Sequence, residues 1–288
     1  MGLRGQCRLG EFNICGLMHT VYVKDVLAGE NPGLVKGSVE SGERIFCFKQ
    51  VKSCLDSAWE LFAREEMRVW DSVLCQSQSL GRGRMRRTWH SPQGNLYASW
   101  LWPQPDKKWE PVVSLVVGYV LCRSLLEIGV GVGLKWPNDL WFEGGKAGGI
   151  LVEDKQGVCM AGVGINFFHL PPVDQLRDKG LKKVSMLSSA LSDWSISGLW
   201  AYLVYQGRNW YEHLMATCSP EDFARKYGEI MAFRDEYACI STDKGDFCGT
   251  VRGVSPRGEI RILTDKGMRS FCSGSLILPE DSRCSYPG

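Results

Sequence analysis

From residue 44 to Val51 apolar and polar side chains alternate, which predicts a strand. The spacing then changes: from Asp56 to Met67 the apolar residues Ala58, Leu61 and Phe62 share one face of a predicted helix. Val73–Cys75 and Leu96–Trp102 read as strands on either side of a loop rich in glycine and arginine, and Pro103–Lys108 reads as a polar turn. Pro111–Ile128 is a helix with acceptable stop residues at Gly129 and Gly131. The apolar run from Pro111 to Leu134 is the longest in the chain, but it contains Arg123 and Glu127, so it predicts a buried helix and not a membrane span. Strands are expected near 133–136, 139–143, 149–154 and 158–167, with a turn at Gly144-Gly145. A charged loop over Pro171–Lys183 leads to a helix over Ile196–Ala216. Ser219-Pro220-Glu221-Asp222 opens another, with Ser placed to cap, Pro suited to the first turn and two acids at the positive end.

After Arg234 the pattern shortens. Tyr237–Ser241, Phe247–Val254, Glu259–Thr264 and Arg269–Cys272 are short strands separated by turns, the signature of a small β barrel. The expected fold is α+β, a mixed and mainly antiparallel sheet with flanking helices plus a small C-terminal SH3-like β barrel. The expected domains are an N-terminal extension over 1–42, a catalytic domain over 43–234 and the barrel over 235–288. The extension offers few periodic positions, and two well-patterned helices of a winged DNA-reading domain are not legible in it.

Composition narrows the partners. The chain has 288 residues, 34 Lys and Arg against 32 Asp and Glu, a near balance that argues against a broad nucleic-acid backbone binder. No apolar core with a cleavage site opens the chain. The 12 cysteines form no C-x-x-C pair and have no histidine at zinc spacing, so they read as mostly buried thiols of a reducing cytoplasm. His19, His90, His169 and His213 show no metal-like spacing.

Four segments carry candidate chemistry. Gly81 to Trp89 places four arginines among two glycines; Gly admits close backbone approach, and Arg presents a planar fork to carboxylate or phosphate. Taken alone this is also a solvated basic turn. In Lys135-Trp136-Pro137-Asn138-Asp139 the proline makes a rigid corner, and Asp139 suits a magnesium ion or an ordinary turn equally. Lys146, framed by Gly144, Gly145, Gly148 and Gly149, reaches an anion or stands solvated in a hairpin, and the Walker spacing is missing. Gly162-Val163-Gly164-Ile165-Asn166 is a strand open to close approach, with Asn166 able to read a base edge or a phosphate.

In this order the four segments resemble biotin protein ligase, in a form without an N-terminal DNA-binding domain. The Gly-Arg-Gly-Arg, Trp, Ser-Pro-x-Gly and Leu-Tyr-x-Ser run lies between Gly81 and Ser99, Lys-Trp-Pro-Asn-Asp is unchanged, and Lys-x-x-Gly-Ile and Gly-x-Gly-Ile-Asn follow. A C-terminal Gly-Thr-Val-x-Gly stands at Gly249–Gly253. The resemblance implies a two-step ligase that activates biotin with ATP as biotinyl-5′-AMP and transfers it to a lysine of a biotin carboxyl carrier protein domain, with magnesium on the phosphates. It implies biotin contacts at Ser53, Cys54, Leu55, Gln78, Gly81, Arg82, Gly83, Arg84, Lys146 and Gly149. ATP contacts fall at Arg82, Trp89, Lys135, Asn138 and Asn166, catalytic roles at Lys146, Arg84 and Asp139, and a magnesium contact at Asp139. It implies no nucleic-acid or membrane partner, and a homodimer stays open. The chain departs from the family at Ser53-Cys54-Leu55, where Ser-Thr-Asn is usual, at Ser77-Gln78-Ser79, where Glu-Gln-Thr is usual, and at Arg86, where Gly is common. A ligase of the same architecture for lipoate, or a non-catalytic adenylate-binding regulator, is the alternative.

Overall fold

A computed structural model of the protein describes residues 7–14, 17–23, 43–172 and 183–278. Much of the extension over 1–42, and most of the loop expected over Pro171–Lys183, lies outside these residues. Within the extension β1 (Cys7–Ile14) and β2 (Leu17–Val23) pair antiparallel. The apolar pattern does not predict this hairpin, because its stretches are too short to establish a period.

The chain continues through β3 (Ile45–Val51), α1 (Cys54–Ala63), β4 (Ser72–Gln78), β5 (Leu96–Trp102) and α2 (Val113–Glu127). Then come β6 (Gly133–Lys135), β7 (Asp139–Phe142), β8 (Gly145–Lys155), β9 (Val158–Ile165), α3 (Ile196–Thr217) and α4 (Pro220–Ile230). The last strands are β10 (Tyr237–Thr242), β11 (Gly245–Val254), β12 (Ile260–Thr264), β13 (Gly267–Phe271) and β14 (Ser275–Ile277). The chain divides into two compact units, Met1–Gln104 with Ile150–His169 and Leu187–Arg208, and Pro105–Gly149 with Leu170–Met186 and Asn209–Gly288.

In the first unit β3 and β4 are parallel, β4 and β5 antiparallel, and β9 lies antiparallel beside β5 with the later half of β8 at its other edge. α1 packs on β4, β5 and β9. Its buried residues Cys54, Leu55, Ala58 and Leu61 join Phe46, Val73, Cys75, Tyr97, Leu101 and Met160 in one core. The helix ends at Ala63 and not at Met67: the Arg64 N–H closes on the Glu60 carbonyl at 3.2 Å and Glu65 takes φ 59, so the charged Arg64-Glu65-Glu66 segment leaves the helix. Met67 still reaches the core, from a loop. Trp70, Trp100, Trp102 and Trp200 pack with their rings tilted or edge to face, and Trp200 Nε1 donates to Ser72 Oγ at 3.0 Å.

In the second unit α2 is buried from Leu115 to Cys122 and again at Ser124 and Leu125, as its apolar run predicts. Trp109 and Tyr119 pack edge-on against Phe223 of α4. Among the described residues no helix is long and apolar enough to cross a membrane. β6, β7 and the first half of β8 form an antiparallel meander. The β7–β8 turn is Glu143-Gly144, one residue earlier than expected; φ is 46 and 75 there, the paired positive values of a tight two-residue hairpin. The C-terminal strands form a five-stranded antiparallel sheet in the order β13-β12-β11-β10-β14, which includes β14 beyond the strands the pattern predicts. Cys239 and Cys248 stand opposite each other on β10 and β11 and form a disulfide, which corrects the reading of the cysteines as thiols in their case. Cys54, Cys75, Cys122 and Cys159 are free and buried, while Cys272 is free and exposed.

Candidate functional site

The arginine loop is a closed hairpin extension of β4. The Trp89 N–H donates to the Gly81 carbonyl at 2.8 Å, Arg82 bridges to Thr88, and the Gly83 N–H donates to the Arg87 carbonyl at 2.8 Å. A single turn over Arg84–Arg86, with Met85 at φ 54, reverses the chain. Arg84 is half-buried at the start of that turn. Gly81 has no room for a side chain: a Cβ there would stand 2.4 Å from the Trp89 carbonyl oxygen and 2.6 Å from Ser91 Oγ. Arg82 is held by two carboxylates, Asp56 Oδ1 at 2.7 Å and Glu153 Oε1 at 2.8 Å. Glu153 also accepts from Trp59 Nε1 at 2.8 Å. Arg82 thus ties the loop to α1 and β8.

Beneath the loop lies the start of α1. Ser53, Cys54 and Leu55 are all buried, and the side chains of Cys54 and Leu55 belong to the core. A Cβ on Gly162 would stand 2.8 Å from Leu55 Cδ1, so the glycine admits the leucine. Burial, and then the hydrogen bond with Cys75 at 2.7 Å, pushes the Cys54 thiol well above the usual range. Cys54 meets Gln78 through its backbone instead, donating its N–H to Oε1 at 2.8 Å. The half-buried Trp89 lays its ring on Gly164, where a Cβ would stand 2.7 Å from Nε1. Asn166 is buried at the end of the same strand.

The second unit carries the other cluster. The Trp136-Pro137 peptide is cis, and Trp136 Nε1 donates to the Gly258 carbonyl at 2.9 Å, fastening the corner to the β11–β12 turn. Lys135 and Asp139 face each other across β6 and β7, and Asp139 faces Gly149 across β7 and β8. Lys135 is buried with Nζ 5.1 Å from the Trp141 ring centre. Lys146 Nζ stands 2.7 Å from Asp139 Oδ1, with 17% and 13% of the two side chains exposed. Segment 183–185 runs beside Lys146, whose N–H donates to the Lys183 carbonyl and whose carbonyl accepts from the Ser185 N–H, both at 3.0 Å. Gly145 permits that approach: a Cβ there would lie 2.8 Å from the Val184 carbonyl carbon. The result is a cation drawn out of bulk water and aimed along a carboxylate, next to a rigid corner bearing Asn138.

Residues 48–167 match the biotin/lipoate A/B protein ligase family. The chain is similar to the bifunctional ligase/repressor BirA of Salmonella typhimurium, 28% identical over 221 residues that cover 74% of this chain and 68% of that protein. It is 41% identical to BirA of Escherichia coli over 91 residues, 31% of this chain and 28% of that one. Its fold is similar to that of the biotin protein ligase from Aquifex aeolicus solved with biotin and ATP, with a TM-score of 0.68 and 25% identity over 81% of this chain and 97% of that one. Residues 48–167 are a domain of the biotin/lipoate A/B protein ligase family.

In this biotin/lipoate ligase domain the structure gathers Gln78, Gly81 and Trp89 in one cluster and Lys135, Asp139 and Lys146 in another. Three organising residues escape a motif-based reading. Asn95 is buried, and its Oδ1 accepts the N–H groups of Phe167, Phe168 and His169 at 2.8, 3.0 and 2.9 Å, fixing the chain just after Asn166. Glu153 and Asp56 hold Arg82. A carboxylate or amide at these positions carries no local signal, since each partner is distant in sequence. Asn95 stands directly after the Ser91-Pro92-Gln93-Gly94 run and before β5.

Proposed function

We propose that the protein is an ATP-dependent ligase that activates biotin as biotinyl-5′-AMP and transfers it to a lysine of a biotin carboxyl carrier protein domain, the activity of a biotin–[acetyl-CoA-carboxylase] ligase. The observation that carries this reading is the Lys146–Asp139 pair inside the family-matched segment, at 2.7 Å and largely shielded from water. In the first step a biotin carboxylate oxygen attacks the α-phosphorus of ATP, the bond to the β-phosphate bridge breaks, and pyrophosphate leaves. Two anions must meet, so fixed cations lower the barrier, and they act most strongly where water is excluded. Lys146 and Arg84 supply that charge, and Asp139 keeps the Lys146 ammonium oriented until a ligand oxygen replaces it. In the second step the neutral amine of the carrier lysine attacks the acyl carbon and AMP leaves.

Gln78 and the backbone of Gly81, Arg82, Gly83 and Gly149 are assigned to biotin, with Ser53, Cys54 and Leu55 contributing the wall beneath it. Trp89, Lys135, Asn138 and Asn166 are assigned to the nucleotide, Trp89 by stacking on the adenine. Arg82 acts on both ligands through the position of the loop it anchors. Among the described residues no group of three or more His, Cys, Asp or Glu is placed to hold a metal ion. A single carboxylate fits a magnesium ion carried mainly by phosphate oxygens and water, so Asp139 is the residue that would touch it. Such an ion neutralises phosphate charge when bound. The catalytic portion is assigned to 43–234 and the small β domain to 235–288, in a cytoplasmic protein.

Incubation with ATP, magnesium, labelled biotin and a purified carrier domain tests this. Label on the carrier lysine, with pyrophosphate released for biotin in preference to lipoate, is the expected result. Lys146→Ala lowers single-turnover adenylate formation about 100- to 1000-fold, the usual loss of one such cation. Absence of transfer from a demonstrably folded chain rejects the reading.

A further inference from the structure

The Ser-Pro-x-Gly run between the arginine loop and β5 has no role in the mechanism above, yet its first residue sits at a junction. Ser91 is buried. Its Oγ accepts a hydrogen bond from Gln78 Nε2 at 2.9 Å and donates one to the Trp89 carbonyl at 3.0 Å. Gln78 Oε1 accepts in turn from the Cys54 N–H at the start of α1. One continuous chain therefore runs from the α1 N-terminus through the Gln78 amide and the Ser91 hydroxyl to the backbone of Trp89.

Two features make this chain stiff. The Pro92 carbonyl accepts from Tyr97 Oη at 2.9 Å, which fixes the residue after Ser91 to β5. Gly81 closes the other side, since a Cβ there would stand 2.6 Å from Ser91 Oγ and 3.1 Å from Gln78 Nε2. A serine hydroxyl has one proton, and here it is aimed at Trp89. Gln78 keeps a second amide N–H and a second lone pair on Oε1, so it can meet a ligand while remaining in the chain. Linked hydrogen bonds polarise one another, so a ligand that orders the Gln78 amide also orders the Trp89 carbonyl, through Ser91.

We infer that Ser91 is a positioning residue that couples the biotin end of the site, at Gln78, to the nucleotide end, at Trp89, so that biotin raises the affinity for nucleotide. The inference rests on the ligand assignments of the proposed function. Coupling of this kind is reciprocal, so nucleotide raises the affinity for biotin by the same factor.

Calorimetry with a non-hydrolysable ATP analogue, with and without saturating biotin, tests it on the full chain. The intact protein binds the analogue at least about 5-fold more tightly with biotin present, the lower range of such couplings. In Ser91→Ala the ratio falls below about 2, and Ser91→Thr, which keeps a hydroxyl, restores most of it. A role confined to folding would lower the melting temperature of Ser91→Ala and leave the ratio unchanged. If Ser91→Ala does not fold, Ser91→Cys, a weaker donor, must give an intermediate ratio. A ratio equal to that of the intact protein in the folded variant overturns the inference. An intact protein that binds both ligands with no coupling also overturns it but leaves the proposed activity standing, whereas failure to bind biotin at all overturns the activity itself.

Discussion

Asn95 shows how one side chain sets a site from outside it. Its carboxamide oxygen satisfies three successive backbone N–H groups directly after Asn166, and its Nδ2 donates to the His169 carbonyl at 2.8 Å. An unsatisfied buried donor costs about 1–3 kcal/mol. Asn95→Ala is therefore expected to destabilise the protein by at least about 3 kcal/mol in denaturant unfolding, and to weaken nucleotide binding through the displaced Asn166. The glycines in the motifs are legible from sequence as positions of close approach, and Gly81 and Gly164 are such positions, against Ser91 and Trp89. The partner of Arg82 is not legible in the same way. Its motif suggests an anion-binding guanidinium, and in the structure two carboxylates of the same chain meet it. An arginine fork accepts a carboxylate from either source, so residue type alone does not decide between them.

At the scale of elements, local signals act where the partner is close in sequence. Ser219 and Asp222 form the reciprocal cap that their spacing predicts: the Asp222 N–H donates to Ser219 Oγ at 3.1 Å and the Ser219 N–H donates to Asp222 Oδ2 at 3.0 Å. These bonds, first the backbone one and then that from the Ser219 hydroxyl, hold the Asp222 carboxyl below its usual range. The contribution is present above the ordinary carboxylate pKa near 4 and is lost as pH falls through the lowered value. Ser219→Ala should cost about 1 kcal/mol at neutral pH, measured by reversible unfolding. α1 illustrates the opposite case. The apolar spacing continues to Met67, and Met67 is indeed buried, but it arrives there after the backbone has left the helix at Arg64. Burial and helical period coincide only as long as the chain is helical.

At the scale of the molecule, the buried thiols predict an alkaline limit to stability. Burial pushes the Cys159 thiol from 9.0 up to about 12, and it raises Cys54 and Cys122 as well. In the folded state these groups stay protonated where the unfolded chain has released its protons. Their stabilisation is full below about pH 9 and falls as pH rises toward 12. Unfolding followed in reducing buffer from pH 8 to about 10.5 should show stability falling above pH 9, by about 1.4 kcal/mol per pH unit for each such thiol. Cys159→Ala should flatten that slope, and an unchanged slope would contradict the burial described.

The order of helices and strands from β3 to β13, the apolar faces that build both units and the residue types of the four motifs follow from the chain itself. Periodicity, caps and turn residues act over a few positions and need no distant partner. The disulfide between facing strands, the clasp of Asp56 and Glu153 on Arg82, the Lys146–Asp139 pair and the three amides on Asn95, 72 to 74 residues away, were decided by tertiary structure. Each depends on strand register and on which segments are brought together when loops close, and neither is written in any short window of sequence.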